Sequence, residues 1–396
     1  MSDIAIIVGR KILSNINREL ILLKHLKKFN LNPYFLIPGP NISQISLDDE
    51  DIKKFKNANI IKFNDLEHFK KITKDFNKFL IASWRDYFPL VSILKKNNKK
   101  IIVYSDAGGI DYWDLGCKQL LIKSQANIDL FCNARRNLLI NFFRKSFLNF
   151  KITGSLRYEY VDDFKPKDIK DKKKLLVFFP KSISKLKIAI KHWFPKKNEE
   201  WYLDYIKLIE ENYINLGQKI KKLGYKFLVK THYASEDKFF SNDNNYDKIF
   251  WQSNGFEVYE GDERNIFNQL DIGLGYETHS AIDVNLHKKP FIYLIPKINM
   301  RPQVRGFCLE KFLNKNKKNC FGYSEKFNIK KSFLNYLWLP YWYGSTCTIE
   351  NIEACMDDIF STPLNENLCN NISEYYWGHQ SDIRPSEKII REFIKN

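Results

Sequence analysis

Short apolar runs alternate along this chain with longer stretches in which apolar residues recur every three or four positions. Residues 4–8 form a buried-strand run, residues 15–29 carry apolar side chains at helical spacing, and residues 33–37 form a second strand run. The rhythm continues with strand runs at 60–63, 79–82, 100–104 and 129–132 and a helix near 89–96. After a polar interval it starts again: a strand at 175–179, a long helix over 199–223, strands at 226–229 and 257–259, a helical turn at 266–270, a strand at 272–274, a helix over 278–287 and a strand at 290–294. Strands that alternate with helices predict parallel sheets covered on both faces. The tail is less regular: residues 334–343 are dense in aromatics, 348–360 read as helix, and 385–394 as a final amphipathic helix. The aromatics Trp338, Tyr341, Trp342 and Tyr343 read as packing for the last helices, with a carbohydrate or lipid surface as the alternative.

Length turns this pattern into two domains, because 396 residues exceed what one core usually serves. The interval 161–174, charged and carrying Pro166, is the expected linker between domains at 1–160 and 175–375. No apolar run approaches the roughly 18 residues of a membrane-spanning helix. The start of the chain lacks the pattern of a secretory leader, so a cytoplasmic location is expected. Seven cysteines, scattered and without a C-x-x-C pair, read as reduced thiols, and no metal site is expected.

The formal charge of +18 bears on partners rather than fold. Nucleic acid, anionic lipid headgroups and phosphorylated substrates all fit it. Part of the excess lies in Lys/Asn-rich stretches such as 95–100 and 314–319, which read as solvated loops. No nucleic-acid-binding module is recognisable and the basic residues are dispersed, which argues against nucleic acid as the partner.

In open α/β sheets ligands sit beyond the carboxyl ends of strands, so the residues that follow each strand run carry the functional information. Gly9 and Arg10 follow the first run: glycine admits a ligand to the backbone and arginine meets a phosphate or carboxylate, although a plain turn reads equally well. Asp106, in Ser105-Asp-Ala-Gly-Gly109, is either a general base toward a hydroxyl or a helix cap. Arg85, after 79–82, faces the same edge, and Ser155 and Arg157 follow a glycine in a compact anion-contact arrangement. In the second half Lys230 and His232 directly follow a strand, offering positive charge and a titratable donor to phosphate. Finally, Gly275, Glu277, Thr278, His279 and Ser280 join a strand to a helix start. There the free N–H groups and the positive end of the helix suit a diphosphate, Gly273 and Gly275 let it come close, and Glu277 accepts from ribose or sugar hydroxyls. Its alternative is an ordinary capped helix.

Taken in order, these junctions resemble the GT-B glycosyltransferases, in particular the bacterial surface-polysaccharide and glycerophosphotransferase-like branch. Thr153-Gly-Ser-Leu-Arg-Tyr158 is similar to the T-G-S-P-R-[FY] of that branch, and Lys230-Thr-His232 to its K-x-H. Lys288-Lys-Pro-Phe-Ile292 resembles its G-K-P-x-I strand, and Ser386-Glu-Lys-Ile389 its terminal A-S-E-R-I helix. The resemblance implies an α/β protein with two Rossmann-like domains facing a central cleft and a C-terminal helix, 376–396, crossing back to the first domain. It implies a donor nucleotide on the second domain, held by Lys230, Gly275, Glu277, Thr278, His279 and Ser280 with His232 catalytic. An acceptor lies on the first, near Gly9, Arg10, Arg85, Ser155 and Arg157. Transfer is expected to need no metal and no cofactor, the nucleotide-sugar being a substrate and a glycan or lipid-linked molecule at an anionic membrane surface the acceptor. Two departures stand out. Leu156 replaces the proline, and Ser105-Asp-Ala-Gly108 stands where glycerophosphotransferases carry Trp-His-Gly, which makes Asp106 the candidate base. UDP-sugar 2-epimerases share the architecture and are the alternative; a basic nucleic-acid-binding protein is the non-enzymatic one.

Overall fold

A computed structural model describes residues 4–8, 13–39, 41–42, 52–81, 88–104, 129–133, 150–154, 156, 159, 174–180, 182–184, 199–231, 246–261, 263–276, 278, 280–294, 343–377 and 383–395. The expected linker, save Lys174, and the aromatics Trp338, Tyr341 and Trp342 lie outside them. The chain divides into two compact units, one made of Met1–Asp163 with Ser373–Asn396, the other of Phe164–Ile372.

The first unit holds a seven-stranded sheet of β1 (Ile4–Ile7), β2 (Tyr34–Pro38), β3 (Asn59–Phe63), β4 (Lys78–Ile81), β5 (Lys100–Tyr104), β6 (Leu130–Asn133) and β7 (Phe150–Ile152). Every pairing is parallel and the order is β3-β2-β1-β4-β5-β6-β7. Parallel neighbours require crossovers, and successive strand residues bury alternate faces. Ala5, Ile7, Phe79, Ile81, Ile101 and Val103 face one cluster with Leu90, Val91 and Leu94 of the helix Phe88–Lys96. Ile6, Val8, Phe35, Leu80, Ile102 and Tyr104 face the other, with Leu22 and Leu26 of α1 (Leu13–Lys28).

Closing that second face is the helix Pro385–Lys395, whose Ile389, Ile390 and Phe393 are buried in the same cluster. Full burial of each such side chain contributes about 1.5–3 kcal/mol. Its first turn is held by a carboxylate from far upstream: Glu159 accepts from the Ser386 N–H at 2.9 Å and the Ser386 hydroxyl at 2.7 Å. A carboxylate at a helix N-terminus satisfies free N–H groups and meets the positive end of the dipole. His25 of α1 completes the cluster, 3.2 Å from Glu159 and 3.3 Å from Glu387. Burial and the Lys28 ammonium lower its proton affinity, while Glu387 raises it. Leu156, standing where the resembled motif has proline, is fully buried in this cluster.

The second unit repeats the plan with six parallel strands: β8 (Leu175–Phe179), β9 (Lys226–Val229), β10 (Glu257–Val258), β11 (Ile272–Gly275), β12 (Phe291–Leu294) and β13 (Gly344–Cys347), in the order β10-β9-β8-β11-β12-β13. On one face Phe178, Phe227, Val229, Leu274 and Tyr276 pack against Ile209, Tyr213 and Leu216 of the long helix Glu199–Lys222 and Trp251 of the helix Tyr246–Ser253. On the other, Phe179 stacks on Phe267 of the helix Glu263–Gln269 at 5.8 Å.

Two strands escape the sequence pattern for a physical reason. β7 is three residues long, and β13 reads Gly-Ser-Thr-Cys, with no apolar run to announce it. β13 forms because the sheet edge at β12 offers a ladder and because Asn285 pins its approach, donating to Tyr343 O and accepting from Tyr343 N at 2.8 Å each. Gly344, at φ +144°, enters with its Cα so close to the Phe291 carbonyl that a Cβ would lie 1.9 Å from that oxygen. The helix expected over 278–287 begins two residues later, as Ser280–Leu286, because Thr278 folds into the turn before it. The helical turn expected at 266–270 is the end of the longer helix Glu263–Gln269.

Two outcomes are expected. Glu159→Ala strips Ser386 of both acceptors and lowers stability by about 1–3 kcal/mol in chemical denaturation; Glu159→Gln, which keeps an acceptor, loses less. The second concerns His287, whose Nδ1 faces the Asp283 carbonyl at 2.7 Å while its Nε2 is buried without a partner. Burial lowers its proton affinity below the ordinary value, so below about pH 6.5 the unfolded chain binds a proton that the folded one resists, and stability falls with pH. The Tm of His287→Gln declines less steeply from pH 7.5 to 5.5 than that of the parent.

Candidate functional site

Each sheet reverses its strand order once, between β1 and β4 in the first and between β8 and β11 in the second. Crossovers leave such a point on opposite faces, so the loops after the two central strands part and open a crevice at their carboxyl ends. In the second unit three junctions meet this edge: residues 180 and 182–184 after β8, Lys230 and Thr231 after β9, and Tyr276 and Thr278 after β11. β9 and β11 flank β8, so Lys230 and Thr278 stand two strands apart, about 10 Å at the usual spacing.

Lys230 extends the ladder through its N–H to Phe178 O at 2.9 Å, and its side chain is nearly buried, the ammonium donating to Thr231 O at 3.2 Å. Thr278 and Ser280 form a hydroxyl-capped turn: Thr278 Oγ1 accepts from the Ser280 N–H at 3.2 Å and lies 3.2 Å from Ser280 Oγ. Tyr293 of β12 donates to Thr278 O at 3.2 Å and fixes the turn to the sheet. Among the described residues, a cation and hydroxyls thus share this edge.

The glycines of β11 are also required by packing. A Cβ on Gly275 would lie 2.8 Å from Thr278 Cγ2, 3.0 Å from the Phe291 ring and 3.1 Å from Phe179 O. On Gly273 it would lie 2.6 Å from Phe291 and 3.0 Å from Val284 of the following helix. The protein's own packing fills the space that a side chain at either position would need.

Sequence reasoning passed over the junction after β8. Ile183 N and Ser184 N each donate to Asp247 Oδ1 at 3.1 Å, and Ser184 Oγ does so at 3.0 Å. Asp247 is 2% exposed and its Oδ2 has no hydrogen-bond partner among the described residues. The rule used for the other strand ends applies equally to Phe179-Pro-Lys-Ser-Ile-Ser184 and would have found the turn. Nothing local marks Asp247, which lies more than 60 residues away.

At the carboxyl edge of the first sheet, Tyr104, the last residue of β5, donates to the buried Glu19 of α1 at 3.2 Å. Beyond β7, Thr153 and Leu156 are buried and Gly154 adopts φ +89°. Asp106, Gly9, Arg10, Arg85, Ser155, Arg157, His232, Glu277 and His279 lie outside the described residues. Of the expected site, the described residues contain Lys230, Gly275, Thr278 and Ser280, all at one edge of one sheet. No group of three or more His, Cys, Asp or Glu side chains suited to a metal occurs among the described residues. Nor is any of their helices long and apolar enough to cross a membrane.

No family model and no curated protein matches the chain. Solved structures do. A UDP-GlcNAc 2-epimerase from Neisseria meningitidis bound to UDP-GlcNAc superposes with a TM-score of 0.56 at 12% identity, covering 99% of each chain. The wall teichoic acid polymerase TagF, in a crystal soaked with CDPG, gives 0.51 at 12% identity over 100% of this chain and 88% of that one. A further UDP-N-acetylglucosamine 2-epimerase gives 0.52 at 10% over 99% and 94%. The chain has the GT-B fold: two Rossmann-like parallel sheets with their helices, and a C-terminal helix that belongs to the first unit.

Gly275→Ala tests the packing explanation. With no ligand present it is expected to lower stability by about 1–3 kcal/mol, read as Tm, because the ring and carbonyl it meets belong to the core.

Proposed function

We propose that the protein is a glycosyltransferase that moves a sugar from a nucleotide-activated donor to a glycan or lipid-linked acceptor in cell-surface polysaccharide synthesis. The observation that carries the reading is the carboxyl edge of the second sheet, where Lys230 and the Thr278–Ser280 turn flank the reversal of strand order. A nucleoside diphosphate is an anion with an aromatic base and hydroxyls, and this edge supplies a cation, hydroxyls and backbone groups. Support for that ligand class comes from the similar epimerase bound to UDP-GlcNAc.

In this reading Asp106 removes the proton from the acceptor hydroxyl as it attacks the anomeric carbon. The bond to the diphosphate breaks, and Lys230, His232 and the turn through Ser280 stabilise the charge that develops on the leaving oxygen. With no metal invoked, protein groups supply that stabilisation. Glu277 and His279 orient the donor, while Gly9, Arg10, Arg85, Ser155 and Arg157 contact the acceptor. Of these roles, only those at Lys230, Thr278 and Ser280 fall on described residues. The excess of 64 Lys+Arg over 46 Asp+Glu suits work beside anionic lipid, where each basic residue near the surface adds about 1 kcal/mol.

A second reading is favoured by the two similar epimerases: isomerisation of a UDP-sugar at the same edge. Thermal shifts with UDP, GDP, CDP and CMP test the shared part. One of them is expected to raise Tm, and Glu277→Ala and His232→Ala to abolish the rise; no rise with any of the four sinks the donor site. Incubating the enzyme with UDP-GlcNAc alone then separates the readings, since an isomerase converts it without an acceptor and a transferase leaves it unchanged.

A further inference from the structure

We propose that Asp247 is a positioning residue of the donor edge: it holds the 182–184 turn in place and thereby decides where on that edge the anion binds. The inference rests on the donor reading above. The turn follows β8, the strand at which the order reverses, so its backbone forms one wall of the crevice. Ser182, Ile183 and Ser184 are all buried. Asp247 stands in the first turn of the helix Tyr246–Ser253, which lies between β9 and β10, so its bonds tie the turn after β8 to the crossover from β9 to β10. That helix is tied in turn to the long helix Glu199–Lys222 by Tyr246, which donates to Glu210 at 2.7 Å.

The bonding pattern separates this role from direct contact. Two adjacent backbone N–H groups and a hydroxyl converge on Oδ1, the arrangement that elsewhere receives a phosphate oxygen. Here a buried carboxylate already occupies it, so the turn after β8 repels an anion, which is directed to Lys230 and the Thr278–Ser280 turn. All three bonds fall on Oδ1 and none on Oδ2, so a neutral amide oxygen in the same place would hold the turn equally well. The negative charge beside an anionic ligand would be gone.

The test is titration calorimetry with UDP, CDP, GDP and CMP, using whichever the parent protein binds, together with amide exchange at Ile183 and Ser184. Asp247→Ala is expected to weaken that nucleotide about tenfold and to speed exchange at both amides. Asp247→Asn is expected to keep the slow exchange and to bind at least as tightly as the parent. Should Asp247→Ala fail to fold, Ser184→Ala removes one of the three bonds and is expected to weaken binding by a smaller factor. Parent-like affinity in Asp247→Ala, or in Ser184→Ala where that variant stands in for it, overturns the proposal. Equal loss in the Asn and Ala variants also overturns it, in favour of a direct ligand contact through Oδ2. A parent protein that binds none of the four nucleotides sinks the donor reading and this inference with it, whereas a parent that binds while Asp247→Ala is unaffected sinks this inference alone.

Discussion

Parallel pairing is the constraint from which the rest follows. A parallel ladder cannot be closed by tight hairpins, so each strand is followed by a crossover that covers a sheet face and returns to the same end. With the thirteen strands among the described residues in two such sheets, every strand in a unit delivers its next residue to one edge. The order reversals at β1/β4 and β8/β11 then open that edge. The candidate residues Lys230, Thr278 and Ser280 lie at that edge of the second sheet.

The same geometry creates a covering problem that the chain solves with its last helix. One face of the first sheet is covered by α1 and by Pro385–Lys395, brought from the far end of the sequence. A helix that returns over such a distance has no local sequence to set its register, and a buried polar latch does so instead. Glu159 binds Ser386, with His25 against both Glu159 and Glu387. Leu156 and Glu159 serve packing and the latch, so part of a segment that reads as an anion contact is structural.

Transferases and epimerases built on this fold differ in what stands at the strand ends, not in the sheets themselves. The similar structures, at 10–12% identity, share this architecture and little else with the chain. Function therefore has to be argued from the edge: a nearly buried lysine, a hydroxyl-capped turn, and a turn already held by a carboxylate.

The amino-acid pattern by itself determined the alternation of strands and helices, because burial on both faces makes strands such as Ile4–Ile7 and Leu175–Phe179 continuously apolar. It also located the ends of β9 and β11: Lys230 follows Val229 directly, and the apolar run of β11 closes on its glycines. Tertiary structure alone decided the rest. β13 has no apolar signal and exists because β12 and Asn285 present it with partners. The glycines of β11 answer to Phe291 and Val284, which the strand cannot foresee. Asp247 meets Ile183 and Ser184 across more than 60 residues. Periodicity reports which face of an element is buried; it carries no information on what that face will meet.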